Sequence, residues 1–525
     1  MTDSTTEPGT ETAKRGAFTS RRVFIFAAIG SAVGLGNIWR FPYVAYENGG
    51  GAFILPYLIA LLTAGIPFLL LDYAIGHRYR GSAPLSFARL SRGAESLGWW
   101  QMGICFMIAV YYAAVVAWAL RYTFFAVDKA WGTDPEGFFF GSFLQTGEAG
   151  VDTTLVPGVL WPLLVIWAVV ALVMVLGVQK GIGRMALVFI PILLVAFLAL
   201  VVQALFLPGA GAGLDALFTP DWGALLDPLV WAAAYGQIFI SLSIGFGIMI
   251  TYASYVDRKT DMSGSGMVVG LSNSGFELLA GIGVFAALGF MAGAATPPTA
   301  VNEVASDGIG LAFIAFPTII NEAPGGTLLG LLFFGSLVVA GITSLVSVIE
   351  VVISGVRDKF ELTRVAASLW VLTPATLISL ALFSTTSGIH VLDIVDYFVN
   401  RFGILLVAVV SMVVVGWVLM ALPRLADHLN ATGSVPVGTW WKVLIGGLAP
   451  IALTLVLGRE LYVAITEPYG GYPGWMLVVF GWLPVVAMIV LAAGLALALP
   501  WRKDTPLTGY DDPARAGSDG AGEVR

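Results

Sequence analysis

The sequence predicts an all-α polytopic membrane protein of twelve transmembrane helices. The first and sixth are broken, the first ten form a five-plus-five inverted repeat, and two extra helices follow. Three observations predict this. Of 525 residues, 58% are hydrophobic and 11% charged, and mean hydropathy is +0.89, which leaves too little polar surface for a chain folded in water. Apolar runs of ~20 residues or more recur, each long enough to cross a hydrocarbon core of ~30 Å. Two of these runs, five spans apart, carry glycines where a helix should be continuous.

The spans fall at 23–47, 52–76, 100–126, 158–178, 182–206, 228–256, 267–292, 328–357, 366–384, 391–421, 441–464 and 474–500. The first holds "GSAVGLGNIWRFP" (30–42), with Gly30, Gly34, Gly36 and Asn37 in a stretch that otherwise reads as helix. The sixth holds "AAAYGQIFISLSIGFGIMITYASY", with Ser241, Ser243, Gly245 and Gly247 at its middle. Small-residue helix packing is the plainer account of such glycines, but it leaves Asn37 at the break unexplained. With the N-terminus inside, all but five of the 26 lysines and arginines fall on the cytoplasmic side; the five are Arg40, Arg121, Lys129, Arg401 and Arg459. Both termini are therefore expected in the cytoplasm of a multi-pass protein of the cell membrane.

Polar tails at 1–16 and 503–525 flank a core at 17–421, whose repeats cover about 17–206 and 228–421. Spans eleven and twelve (422–502) show no readable chemistry and are expected to be scaffold or to make lipid and partner contacts. The longest outer connections are 127–157 and 293–327, the second reading as a structured cap. The start of the first apolar run lacks the small-residue cleavage pattern of a signal peptide, so the run is expected to be retained.

Several functions are disfavoured. One cysteine, Cys105, allows no internal disulfide. His77, His390 and His428 are scattered along the chain and form no metal-ligand motif. No GxxxxGK[ST] is present to drive an ATP-powered pump, and no basic patch suits nucleic acid. An enzyme lacks a nucleophile–base or metal constellation, and a channel lacks a repeated filter motif.

A helix broken at mid-membrane exposes carbonyls at the end of its first half and amides at the start of its second. The carbonyls suit a small cation and the amides a carboxylate. Such backbone persists in a bilayer only where it lines a site. Asn37, Ser241, Ser243, Asn273, Thr343 and Ser344 add hard oxygen donors, which fit an alkali cation better than a transition metal. For "AGITS" (340–344) the competing reading is hydroxyls bonded back to their own helix.

"SAVGLGNIWRFPYVAYENGGGAFILPY" resembles the first two helices of the neurotransmitter:sodium symporter family. The likeness continues through "YY" (111–112), "GQIFISLSIGFGIMITYASY" (236–255), "SNSGFE" (272–277) and "AGITS", covering about 15–420. The prokaryotic amino-acid branch is the nearest likeness. The resemblance implies a sodium-coupled symporter, not an enzyme, that imports an amino acid by alternating access with two transported Na+ ions. It implies a functional monomer, compatible with dimers, whose partners are the substrate and the bilayer.

The first Na+ site would use the Ala32 carbonyl with Asn37, Ser241, Asn273 and the substrate carboxylate. The second would use carbonyls of Gly30, Val33 and Ala340 with the Thr343 and Ser344 hydroxyls. The substrate pocket would be formed by Ala32, Gly34, Leu35, Gly36, Ile108, Tyr112, Ile240, Ser241, Ser243, Phe246, Ser344 and Val348. Tyr112 and the Leu35 and Gly36 amides would take the carboxylate; carbonyls of Ala32 and Ile240 with Ser243 would take the ammonium. Gly34 stands where monoamine-carrying relatives have aspartate, which favours a substrate carrying its own carboxylate. The apolar wall favours a neutral aliphatic or aromatic L-amino acid. Ile240 is smaller than the family's frequent phenylalanine, which leaves room for bulkier side chains.

Glu277 resembles the built-in carboxylate of chloride-independent members and is placed to take a proton on the return stroke. Arg40 and Asp396 would form an outer gate, and Arg15 and Asp358 an inner latch near Tyr255 and Ser254. Phe18 replaces the usual tryptophan beside that latch. Gly181 and Pro191 would let the fifth helix unwind. A non-translocating amino-acid sensor of the same fold is the alternative reading.

Overall fold

The computed structural model describes residues 17–294, 301, 308–503 and 505–507. Among these, helices account for the regular structure; there is no sheet, and only two isolated β-bridges occur, Gly50 with Pro220 and Leu155 with Thr385. Arg15 and most of both tails lie outside the described residues, as does part of the connection expected to form a cap.

The first span is two helices, α1 (Arg21–Ala32) and α2 (Leu35–Glu47). After α3 (Ile66–Tyr79) comes α4 (Glu95–Asp128), 34 residues long. Next are α5 (Pro157–Gly177) and α6 (Arg184–Leu205), then α7 (Pro228–Ser241) and α8 (Ile248–Ala253), the halves of the second broken span. The chain continues with α9 (Met262–Ala294), α10 (Gly326–Phe360), α11 (Arg364–Phe383) and α12 (Gly388–Phe398). It closes with α13 (Leu422–Asn430), α14 (Ala449–Thr466) and α15 (Leu483–Ala498).

Nine stretches among the described residues are long and apolar enough to cross a membrane. The broken spans are not among them, because neither half is long enough alone. One stretch, Pro157–Leu205, holds 49 residues, about 74 Å if it were one straight helix. It is interrupted at Gly177, whose φ of 85° is not helical, so α5 and α6 separate there.

Burial places the helices. In α10, 89% of the most apolar window is buried inside the protein, against 33% in α11, α14 and α15. So α10 runs through the centre, and the other three turn leucines and valines such as Leu377, Leu455 and Leu491 outward. An outward apolar belt is what a lipid solvent selects.

Gly247 ends the second break with φ of 86°, and a Cβ there would meet Ala83 Cβ at 3.1 Å and Val351 Cγ1 at 3.2 Å. Gly247→Ala is expected to cost about 1–2 kcal/mol and to lower the thermal midpoint of the purified protein in detergent. An unchanged midpoint would show that the break adjusts without strain.

Candidate functional site

The two breaks face each other, and side chains from other helices satisfy their backbone. The carbonyl of Ser31, in the last turn of α1, accepts from Ser243 Oγ at 3.0 Å and from Ser344 Oγ of α10 at 3.3 Å. Ser243 adopts a left-handed φ of 52°, uncommon for a residue with a side chain, and this bend carries its hydroxyl to α1. Asp72 of α3 accepts from the Gly245 amide at 3.3 Å, and Cys105 Sγ of α4 donates to the Phe246 carbonyl at 2.9 Å. Gly34 has almost no room: a Cβ would stand 3.0 Å from Ser344 Oγ and 3.3 Å from the Tyr112 hydroxyl.

The residues expected at the first cation site converge. Asn37 Nδ2 donates to Asn273 Oδ1 at 2.9 Å, and Asn273 Nδ2 to Ser241 Oγ at 3.2 Å. Asn37 Oδ1 also accepts from the Gly34 amide at 2.8 Å, so it caps the start of α2. Glu277, one turn beyond Asn273 on α9, is fully buried, which rules out snorkelling to a surface. It accepts from Gln237 Nε2 at 2.8 Å and from the Tyr57 hydroxyl.

Those expected at the second site converge as well. Ser344 Oγ lies 3.4 Å from the Gly30 carbonyl and 3.5 Å from that of Val33. Thr343 Oγ1 donates to the Ala340 carbonyl at 2.8 Å. Thus Thr343 does bond back to its own helix, whereas Ser344 reaches across to α1.

A cavity of about 750 Å³ joins these elements. Ala32, Gly34, Leu35, Gly36, Ile108, Tyr112, Ile240, Ser241, Ser243, Phe246, Ser344 and Val348 all line it. The Leu35 amide donates to the Tyr112 hydroxyl at 3.3 Å. Arg40 and Asp396 line the same cavity, and Asp396 accepts from Asn400 at 2.7 Å. The walls continue to Glu47 and Arg459, both exposed, so the cavity opens toward their face.

The family model described as "Sodium:neurotransmitter symporter family" matches residues 15–136 and 131–501. The chain belongs to this family. It is 40% identical over 481 residues to an uncharacterized sodium-dependent transporter of Methanocaldococcus jannaschii, covering 91% of this chain and 97% of that one. It is 26% identical to the sodium- and chloride-dependent glycine transporter 2 of Xenopus laevis, covering 92% of this chain and 69% of the relative. The crystal structure of MhsT in complex with L-phenylalanine matches with a TM-score of 0.72 and 31% identity, covering 85% of this chain and all of MhsT. The protein is therefore a sodium-dependent, multi-pass membrane transporter rather than an enzyme.

Several parts of this symporter differ from the sequence reading. One helix of the 422–502 region and the connection after it reach the cavity: Val456, Arg459 and Glu460 of α14 and Tyr469 beyond it are on its wall. Asp393 accepts from the hydroxyls of Tyr469 at 2.8 Å and Tyr472 at 2.9 Å. Glu460 pairs with Arg401. Two of the scattered histidines meet, His77 Nδ1 and His428 Nε2 at 2.9 Å; among the described residues no three potential ligands gather for a metal ion.

At the face opposite the cavity mouth the chain is packed shut. Phe18 is buried and meets Tyr252 edge-on with centroids 5.5 Å apart, and its amide donates to the Tyr255 carbonyl at 3.0 Å. The Tyr255 hydroxyl donates to Glu350 at 2.6 Å, which is paired with Arg364 at 2.7 Å. Asp358 accepts from the Ser82 amide at 2.9 Å; its expected partner Arg15 lies outside the described residues. Glu350 was missed because its partner comes from the next helix and leaves no local motif.

Asp261 joins three segments on this face. It accepts from the Gly264 amide at 2.8 Å, from the Ser434 amide at 3.0 Å and from Ser434 Oγ at 2.6 Å, and pairs with Arg21 at 3.1 Å. Burial pushes its carboxyl up, but these hydrogen bonds and the Arg21 charge outweigh that and hold it below its ordinary value of 3.8. A depressed carboxyl stabilises the fold above its unfolded pKa, and that contribution disappears as pH falls through the folded value. Asp261→Asn is expected to cost about 1 kcal/mol near neutral pH. The difference from the parent should begin to narrow as pH falls below about 3.8 in thermal denaturation and continue to shrink as the carboxyl protonates in the folded state. A difference that does not shrink as pH is lowered would contradict the assignment.

Proposed function

We propose that this symporter imports a neutral hydrophobic L-amino acid, aliphatic or aromatic, together with two Na+ ions and without chloride. The observation that carries this is the single cavity shared by both breaks, in which Gly34 supplies no carboxylate and Ile108, Ile240, Phe246 and Val348 form an apolar wall. A substrate carboxylate would meet Tyr112 and the Leu35 and Gly36 amides, while its ammonium would meet carbonyls at Ala32 and Ile240 with Ser243. The structural neighbour MhsT is named with bound L-phenylalanine, a ligand of this chemical class.

In this reading Na+ at the first site is held by Ala32, Asn37, Ser241, Asn273 and the substrate carboxylate. That shared ligand couples ion to substrate, and the coupling is reciprocal. The second Na+ joins Gly30 and Val33 of the first broken span to Ala340, Thr343 and Ser344 of α10. Glu277 supplies the negative charge that chloride provides elsewhere and exchanges a proton on the return stroke. Arg40 and Asp396 gate the cavity mouth. Arg15 and Asp358 latch the opposite face, and unwinding between Gly181 and Pro191 releases it.

Topology follows the same reading. The nine long apolar stretches among the described residues, with Pro157–Leu205 divided at Gly177 and the two broken spans added, support twelve crossings. Lysine and arginine placement supports cytoplasmic termini, and with that orientation the cavity opens outward. Alternating access then closes the Arg40 end and opens the Phe18 end.

The test is uptake of radiolabelled amino acids into proteoliposomes with and without a sodium gradient. Leucine-like and phenylalanine-like substrates should accumulate only under the gradient, with or without chloride. No accumulation of any amino acid would remove the proposal. Thr343→Val should raise the sodium concentration for half-maximal uptake about tenfold, equivalent to ~1.4 kcal/mol, and leave substrate order unchanged. Glu277→Ser should make uptake depend on added chloride; uptake by this variant without chloride would exclude the charge-substitution role.

A further inference from the structure

Three contacts between the start of the first span and the fifth share one register. The Thr19 amide donates to Gln179 Oε1 at 3.0 Å, across 160 positions. A Cβ on Gly183 would stand 2.8 Å from Val23 Cγ1, and a Cβ on Gly30 would stand 2.6 Å from Ile190 Cδ1. Each of these two pairs is also 160 positions apart. A constant offset means that the two segments run parallel without slipping. The steps of four and then seven residues keep the contacts on one helical face.

The upper contacts each set a branched side chain into the flat surface of a glycine, with the glycine at the end of Val178–Gly183 at one and on α1 at the other. Such contacts fix separation but give little direction. The lowest contact is polar and directional. Thr19 precedes the helix, so its amide has no carbonyl within α1 to bond, and Gln179 supplies the acceptor. Gln179 lies in Val178–Gly183, the non-α segment that follows the break at Gly177, and its Oε1 is 3.4 Å from where a Gly183 Cβ would be. At the top of the seam, Ile190 rests on Gly30, whose carbonyl faces Ser344 Oγ. Pro191 follows immediately and removes a helix hydrogen bond there.

We propose that Gln179 is a positioning residue for transport: it ties the start of α1 to the segment of the fifth span that opens, so that release of both is one event. This rests on the reading of the second Na+ site above. When Val178–Gly183 opens, Gln179 leaves Thr19, Gly183 leaves Val23, and Ile190 no longer supports Gly30. Conversely, Na+ held by Gly30 keeps the seam closed from its top.

The experiment places a reporter cysteine at Ser254 in a Cys105→Ser background and measures the rate of maleimide labelling of the purified protein with and without Na+. Ser254 is buried in this structure, so labelling reads opening of that face. Gln179→Met keeps side-chain length but removes the acceptor, and Gln179→Glu keeps the acceptor. In saturating Na+, Gln179→Met should label about 3–10-fold faster than the parent, the range expected for one hydrogen bond. Its sodium requirement for protection should rise by the same factor, while Gln179→Glu behaves as the parent. Gly183→Ala, which wedges Val23 away, should act like Gln179→Met; because a core glycine variant can fail to fold, the Gln179 pair decides. If Na+ slows labelling of parent and Gln179→Met equally, or if Gln179→Glu is as fast as Gln179→Met, the seam is overturned and the Na+ reading stands. If Na+ does not slow labelling of the parent, the Na+ reading falls and the seam falls with it.

Discussion

The structure depends on satisfying the backbone that two broken helices expose inside a membrane. Lipid offers no hydrogen bonds, and each buried polar group left without one costs about 1–3 kcal/mol. The groups at these breaks find partners on other elements or, at Gly34, within α2 itself. Ser31 gives its carbonyl to Ser243 and Ser344, Asp72 takes the Gly245 amide, Cys105 takes the Phe246 carbonyl, and Asn37 caps at Gly34. The requirement therefore gathers α3, α4, α7 and α10 around α1 and α2. The cavity is the space that this gathering encloses.

Some of this is legible in the sequence because it is written in residue type. Glycines with Asn37 in an apolar run announce a break, and hydroxyl and amide oxygens without sulfur or imidazole announce a hard cation. Other parts leave no such mark. The Ser31 carbonyl would be the same on any residue, so nothing in the side-chain pattern singles out this position. Asp72, Glu350 and Asp261 are single acids whose partners lie on other elements. His77 and His428 are 351 positions apart, and only the fold brings them together.

The contacts of α14 and of the connection after it are illegible for a related reason. Their sequence carries no motif, yet Glu460 holds Arg401, and Tyr469 with Tyr472 holds Asp393. Tyr469 also stacks on Tyr397 with centroids 3.8 Å apart. The connection thus grips α12, the helix that carries Asp396, from beside the cavity mouth. Any movement of Asp396 toward Arg40 must either carry these aromatic contacts along or break them. A segment without chemistry of its own can in this way set the stiffness of one that has it.

Two fully buried glutamates, Glu350 and Glu277, differ in how their surroundings meet a charge. Glu350 is met by the Arg364 guanidinium at 2.7 Å and by the Tyr255 hydroxyl. Its charge is balanced within the protein, so it serves packing on the closed face. Glu277 is met by Tyr57 and Gln237, which are neutral donors. Hydrogen bonds of this kind reduce the cost of burying a carboxylate but do not balance its charge. One turn before it on α9 lies Asn273, linked to Asn37 and Ser241 in a cluster of neutral oxygens. A cation bound there would be stabilised by Glu277, and Glu277 would in turn be stabilised by the cation. When the cation leaves, the imbalance returns, and taking up a proton is the simplest way for a buried carboxyl to remove it. In the proposed function, chloride independence and proton exchange would then be two consequences of one unbalanced charge.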